Sequence, residues 1–354
     1  MKRWRLPPLY IAAFAVVVLL SCVAATRWGM TKGTLPIHEQ QVAAARRMVA
    51  AYDILWAACP GELKASTSDP NHTGLIGPEF GDLLTTMGSL EAKRTSTNPD
   101  FAALLVRLFW ELGLKPGDKI VLACSGSFPA LTLASLVAAE VMELEPLLMV
   151  SLGASSYGAT SSEWTWLDME KVLFEQGLIH HMAAVVSLGG EGDIGASLPQ
   201  EGRHAALSAC RRNRITPLVE KTYRSQLERK IQYVKDFQPK AFVNVGGNQV
   251  HVGRKGYLLP PGVIRTPGRL PVAELGLVGW CLTNGVPVIH LLHIREIALQ
   301  YGLALDPIPF SVPGKSPVYF KISIRWSMMI PCLLIVSSFW LLGIYLRFKS
   351  ALKI

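Results

Sequence analysis

Four short segments rich in glycine and serine carry most of the chemistry that this 354-residue chain could perform. They read Cys124-Ser125-Gly126-Ser127-Phe128-Pro129, Gly153-Ala154-Ser155-Ser156-Tyr157-Gly158, Gly189-Gly190-Glu191-Gly192-Asp193-Ile194-Gly195 and Gly246-Gly247-Asn248-Gln249-Val250-His251. Glycine lets backbone N–H groups approach a ligand, and serine or asparagine adds side-chain donors. At helix N-termini such donors suit anions. The plainer account is that short strand-to-helix turns need glycine and helix N-caps need serine, whatever the function. One such segment would mean little; four together point to a binding crevice touching Ser125, Gly126, Ser127, Ser155, Ser156, Gly189, Gly190, Gly246, Gly247 and Asn248. A further polar run, Ala92-Lys93-Arg94-Thr95-Ser96-Thr97-Asn98-Pro99, puts two cations before a helix start. There Lys93, Arg94, Thr95 and Asn98 could bind carboxylate or phosphate through charge-assisted bonds, or form an exposed loop ending in an ordinary cap.

Catalytic signals are weaker. Ser127 stands at a strand-to-helix corner, where a nucleophile could be exposed, yet the surrounding residues are not a GxSxG elbow and N-capping explains the serine as well. Glu191 and Asp193, two residues apart in a glycine loop, could do acid–base work or hold a cation, or simply be solvated carboxylates. The His290-x-x-His293-x-x-Glu296 run crosses a strand-to-helix break, which is poor geometry for converging metal ligands. No P-loop occurs, the dinucleotide fingerprint is weak, and no CxxC pair suggests a zinc or redox site. Neither a metal nor a cofactor is expected, and the spaced cysteines read as buried thiols.

The elements that must position these segments alternate. Lys119–Ala123, Leu147–Leu152, Met182–Leu188, Ala241–Val245 and Val286–Leu291 are short apolar strands. Between and around them run helical patterns, among them 40–58, a helix opened by Asn98-Pro99, and 129–144, 164–176, 200–212, 223–237, 272–282 and 294–301. Continuous apolar strands separated by helices predict an α/β domain: a mostly parallel sheet of at least five strands, covered by helices on both faces. In such a sheet ligands bind at the carboxyl ends of the strands, where all four glycine segments fall.

Two uncharged runs bracket this domain, Leu6–Thr26 and Ser327–Leu346, each long enough to cross a ~30 Å hydrocarbon core. Lys2, Arg3 and Arg5 precede the first, and Arg347, Lys349 and Lys353 follow the second. Positive flanks mark the cytoplasmic side, so both termini are expected inside and the domain outside the plasma membrane. The organisation expected is a cytoplasmic tail (1–5), a transmembrane helix (6–26), an extracytoplasmic domain (27–306), a proline-rich tether (307–325), a second transmembrane helix (326–346) and a tail (347–354). The first run has a rival reading as a cleaved signal, with Leu19-Leu20-Ser21-Cys22 resembling a lipoprotein site.

Half of all residues are hydrophobic, 17% are charged and mean hydropathy is +0.30, which excludes a disordered chain. The formal charge of +9 suggests a polyanion binder, but seven of the 35 Lys and Arg flank the apolar runs. Residues 27–324 hold 28 against all 26 Asp and Glu, a net of +2. The basic stretch from Arg203 to Lys230 reads as a solvated helix face, and no nucleic-acid motif is present.

In combination, several strings carry a resemblance: Thr73-Gly74-Leu75-Ile76-Gly77, the 92–103 run through Phe101-Ala102-Ala103, Ser125–Leu131, Gly153–Gly158, Thr165-Trp166-Leu167-Asp168-Met169-Glu170 and the Gly189-Gly190 loop. Over roughly residues 40–310 the chain resembles the bacterial poly-γ-glutamate system protein family. The resemblance implies a membrane protein that accompanies the ligase and membrane subunits making and exporting poly-γ-glutamate, as capsule or released polymer. It transfers no catalytic residue. Two functions follow as expectations: an accessory component that binds the anionic polymer or the synthase complex, or an extracytoplasmic hydrolase or transferase acting on the γ-glutamyl chain. A sensor is not expected, because the short tails leave no room for an output module.

Overall fold

The computed structural model describes residues 6–351; Lys2, Arg3, Arg5 and Lys353 lie outside the described residues. The chain is mixed α/β and divides into two compact units, residues 36–319 and the two ends joined, 1–35 with 320–354.

The larger unit is built on a six-stranded sheet, whose strands we label in chain order. They are β1 (Lys119–Ser125), β2 (Glu145–Ser151), β3 (Val185–Ser187), β4 (Ala241–Val245), β5 (Gly262–Ile264) and β6 (Val288–Leu291). The spatial order is β3-β2-β1-β4-β6-β5. Every neighbouring pair is parallel except β5 with β6. The chain starts at the centre, winds outward through β2 and β3, then returns to lay β4 on the other side of β1. That reversal between β1 and β4 is a topological switch point, where the connections leave a crevice at the carboxyl ends of the strands.

The strands form where apolar runs end in a small polar residue. Ile120–Cys124 is wholly buried, and β1, β2 and β3 close on Ser125, Ser151 and Ser187. Val121, Ala123, Phe242 and Val288 join Val234, Leu277, Val278, Cys281 and Leu282 of helices Tyr223–Phe237 and Gly276–Thr283 in one apolar cluster. Helix Pro129–Val141 is buried along its whole length to Ala139, as an all-round apolar helix must be. It packs with helices His38–Ala58 and Asp100–Glu111. The four cysteines of the larger unit, Cys59, Cys124, Cys210 and Cys281, are buried free thiols.

Three features differ from the sequence expectation. The antiparallel strand β5 is additional: three residues after Pro260-Pro261 are too few to show a pattern. Residues 92–96, read as a loop, belong to helix Leu90–Ser96, started by the Ser89 hydroxyl accepting from Ala92 N–H at 3.3 Å. Residues 307–319, read as a tether, pack into the larger unit: the Phe310 ring lies tilted against that of Tyr52, centroids 5.6 Å apart, Val318 and Tyr319 are buried, and Tyr319 donates to Asp100 at 2.6 Å. Burying side chains of that size stabilises by about 1.5–3 kcal/mol each, which is why the segment stays docked.

The smaller unit holds helices Pro8–Trp28 and Trp326–Ala351, both long and apolar enough to cross a membrane. Strands Met30–Thr34 and Phe320–Ile324 pair antiparallel beside them.

Candidate functional site

A pocket of about 520 Å³ opens at the switch point. Ser125, Ser127 and Phe128 reach it from the end of β1, and Ser151, Gly153 and Ser155 from β2. The segment after β3 contributes Gly190, Glu191 and Ser197, and that after β4 contributes Gly247, Asn248 and Gln249. Thr85, Thr86, Met87, Gly88 and Ser89 also line it, with Lys93, and Leu292 follows β6. All four glycine segments therefore meet on one cavity. Their approach is close enough to exclude side chains. A Cβ on Gly153 would stand 2.9 Å from the Gly190 nitrogen and 2.7 Å from Thr85 Cγ2, and Gly190 has φ +68°.

Several candidate residues are not on this wall. Gly126 donates its N–H to Ser151 O at 2.8 Å, while Gly189 and Gly246 shape their turns from behind. Ser156 is buried against Met87 at 3.7 Å. Thr95 accepts from Asp306 N–H at 3.0 Å, and Asn98 caps helix Asp100–Glu111, accepting from Asp100 N–H at 3.1 Å. Arg94 bonds Ser68 O at 2.9 Å and pairs with Asp306 at 3.3 Å. The helix explains the parting of Lys93 and Arg94: consecutive helical residues point about 100° apart.

Lys93 enters the pocket almost fully buried, 2% exposed. Its ammonium nitrogen lies 2.7 Å from Ser155 Oγ, donates to the Ser127 carbonyl, and sits 3.8 Å over the Phe128 ring. Among the described residues no Asp or Glu comes within ion-pair distance of it. Burial disfavours the charged form and lowers its pKa to about 7. Ser155 is held in turn: its strand, Ala154–Ser155, pairs with Leu84–Thr86, and its N–H donates to Ser127 Oγ at 3.0 Å. The Ser127 hydroxyl therefore faces backbone and not a base.

Behind the pocket lies a buried polar network. Asp193 is completely enclosed and pairs with Lys230 at 2.5 Å. Ser151 and Asn248 donate to its Oδ1, each at 2.7 Å, and Ser187 donates to its Oδ2 at 2.7 Å. Lys230 also reaches Ser187 Oγ at 3.0 Å and His251 Nε2 at 2.9 Å. Burial pushes the Asp193 carboxyl up, but Lys230, His251 and the hydroxyls outweigh it and leave it at about 2. Burial and the Lys230 charge push His251 well below the ordinary histidine value. Asp193 is thus a permanent anion without access to a ligand, and Lys230, expected on a solvated face, is core. Glu191 is at the pocket rim.

His290 is buried, with Nδ1 3.0 Å from Asn244 Nδ2, and its ring lies 6.3 Å from that of His293. Among the described residues, no group of three or more His, Cys, Asp or Glu is placed to hold a metal.

The sequence reading missed Ser151, Ser187, Lys230 and His251, and the 85–89 wall. One signal was available: a serine closing each of three successive apolar strands. Comparison with family models, with curated proteins and with solved structures finds no match to this chain.

Proposed function

We propose that this chain is a membrane-anchored, extracytoplasmic component of poly-γ-glutamate synthesis and export, and that its pocket holds the γ-glutamyl chain. In this reading helices Pro8–Trp28 and Trp326–Ala351 span the membrane with both termini cytoplasmic. The larger unit then faces outward, its sheet covered by helices on both faces, beside the ligase and membrane subunits of the system. The resemblance described above supplies the pathway; the pocket supplies the chemistry.

One observation carries the reading. The cavity is lined by eight hydroxyl side chains and Lys93, while Glu191 is the single carboxylate lining it among the described residues. Ser151 donates to Asp193, Thr85 to Ala154 O, and Ser125 to Val245 O at 3.4 Å, which leaves Thr86, Ser89, Ser127, Ser155 and Ser197 to meet a ligand. A γ-glutamyl unit offers one carboxylate and one amide, and hydroxyls with backbone donors can satisfy both. The domain's near-neutral charge suits recognition in a local pocket better than along a wide electrostatic track.

The test is calorimetric titration of the purified full chain with a short γ-linked glutamate oligomer. At Gly247 an added Cβ meets only Leu292, at 3.7 Å, so Gly247→Phe fills the pocket without a backbone clash. Wild type is expected to bind, and Gly247→Phe to weaken binding at least tenfold with an unchanged melting temperature. Absence of binding by wild type, or equal binding by the variant, overturns the reading.

A second reading, as hydrolase or transferase, gains a specific observation: Ser155 against Lys93.

A further inference from the structure

We infer that Ser155 is an acyl-accepting nucleophile and Lys93 its general base, acting on an amide or ester carbonyl held in the pocket. The identity of that carbonyl as a γ-glutamyl amide rests on the reading above; the dyad itself does not.

The geometry has three parts. Ser155 Oγ and Lys93 Nζ are 2.7 Å apart on the wall of a cavity large enough for a small substrate. No acid of the chain neutralises the lysine among the described residues, so burial favours its neutral amine, which needs no counter-ion. A neutral amine has two N–H donors and one lone pair. In the ammonium form Nζ donates to both the Ser127 carbonyl and Ser155 Oγ; once the amine is neutral, one N–H stays on the carbonyl and its lone pair can turn to the Ser155 hydroxyl proton across the same 2.7 Å. The Ser127 hydroxyl meanwhile fixes the Ser155 backbone and so holds the nucleophile in place. A lysine whose purpose was only to hold the fold would be expected to carry an acid partner, as Lys230 does with Asp193.

The step balances without any co-reactant. Lys93 Nζ takes the Ser155 Oγ proton as Oγ bonds the carbonyl carbon. The resulting ammonium sits over the Phe128 ring, where the cation is stabilised. The carbon–nitrogen bond breaks and the leaving amine takes the proton from Nζ, giving an ester on Ser155. Water, or an acceptor amine, then attacks that ester and gives its proton to Nζ; Oγ leaves and regains a proton from it. Water gives hydrolysis, and an amine gives transfer. A group accessible to base catalysis near neutral pH is what this chemistry requires.

The experiment treats the full chain with p-nitrophenyl acetate and with a γ-linked glutamate oligomer, and maps added acyl mass by peptide mass spectrometry. Acetyl on the peptide containing Ser155 is expected, formed at a rate that rises with pH through about 7. Ser155→Ala should abolish it and Ser155→Cys should restore labelling at the same position. Lys93→Met should slow it about 100-fold or more, with the pH dependence near 7 removed. Shortened or transferred oligomer should appear with wild type only. Oligomer binding without any adduct on Ser155 overturns the dyad and leaves the binding reading standing. Adduct on Ser155 without oligomer binding keeps the dyad and overturns the γ-glutamyl reading. Labelling of Ser127, or labelling indifferent to Lys93 and to pH, overturns the dyad as well.

Discussion

Replacing Asp193 by Asn removes one charge from the centre of the buried network and leaves its shape nearly intact. Lys230 then keeps an ammonium in a site with no exposure and no acid partner. Breaking a buried pair from one side costs about 3–5 kcal/mol. A lower figure comes from the carboxyl itself, held at about 2 against an ordinary 3.8, worth about 2 kcal/mol. Taking about 3 kcal/mol, and about 2.1 cal/mol/K of unfolding entropy per residue over residues 36–319, the melting temperature should fall by about 5 °C at pH 7. The assay is thermal and urea unfolding of the full chain. The sign in pH follows from a depressed acid: its contribution is complete above about pH 4 and is lost as pH falls toward 2, so wild type and Asp193→Asn should converge there. Asp193→Leu combined with Lys230→Met should recover much of the loss, because no charge stays stranded. An Asp193→Asn variant as stable as wild type at pH 7 would mean that the pair does not hold the strand-end loops together.

Two further outcomes follow from groups around the same sheet. Burial, with His293 beside it, holds His290 at about 4, so the fold keeps it neutral while the unfolded chain protonates it below about 6.5. Its own contribution to stability should therefore decline as pH falls from about 6.5 to 4, by about 3 kcal/mol, alongside that of the likewise depressed His251, and His290→Leu should lessen the slope by that share in pH-dependent urea unfolding; an unchanged slope refutes the assignment. Gly153→Ala drives a methyl toward Gly190 N and Thr85 Cγ2, and should cost about 1–3 kcal/mol while weakening ligand binding, as denaturation and titration of one variant would show.

The parallel sheet was legible because its strands are unbroken apolar runs between helical patterns, and fully buried strands need no alternation. The helix after Asn98-Pro99 was legible from its cap, which the structure places on Asp100 N–H. What escaped notice depends on facing, which residue type alone does not encode. Lys93 and Arg94 look equivalent in a polar run; once Leu90–Ser96 is helical, one turns to the pocket and the other to Asp306. Glu191 and Asp193 look like a pair of loop carboxylates. The left-handed backbone at Gly190, Gly192 and Asp193 winds the loop so that the first stays at the rim while the second points into the core. Lys230 looked solvated because its helix is highly charged, and one inward position on a charged helix leaves little trace in composition.

The contrast between two lysines decides how the pocket should be understood. Both are buried, and burial alone makes a charged amine expensive. Lys230 meets that cost inside the chain, with Asp193, Ser187 and His251 around it, and its effect is to lock the strand-end loops against helix Tyr223–Phe237. Lys93 is met by a carbonyl, a hydroxyl and an aromatic face, none of them an anion. Such a site is complete in only two ways: the lysine gives up its proton, or a ligand brings an acid to it. The first makes Ser155 a nucleophile and the second makes the pocket a carboxylate binder, and on the proposed function a γ-glutamyl chain, with an amide beside each carboxylate, would engage both in turn. Rigid loops held by the paired lysine are what would keep the unpaired one aligned with its serine.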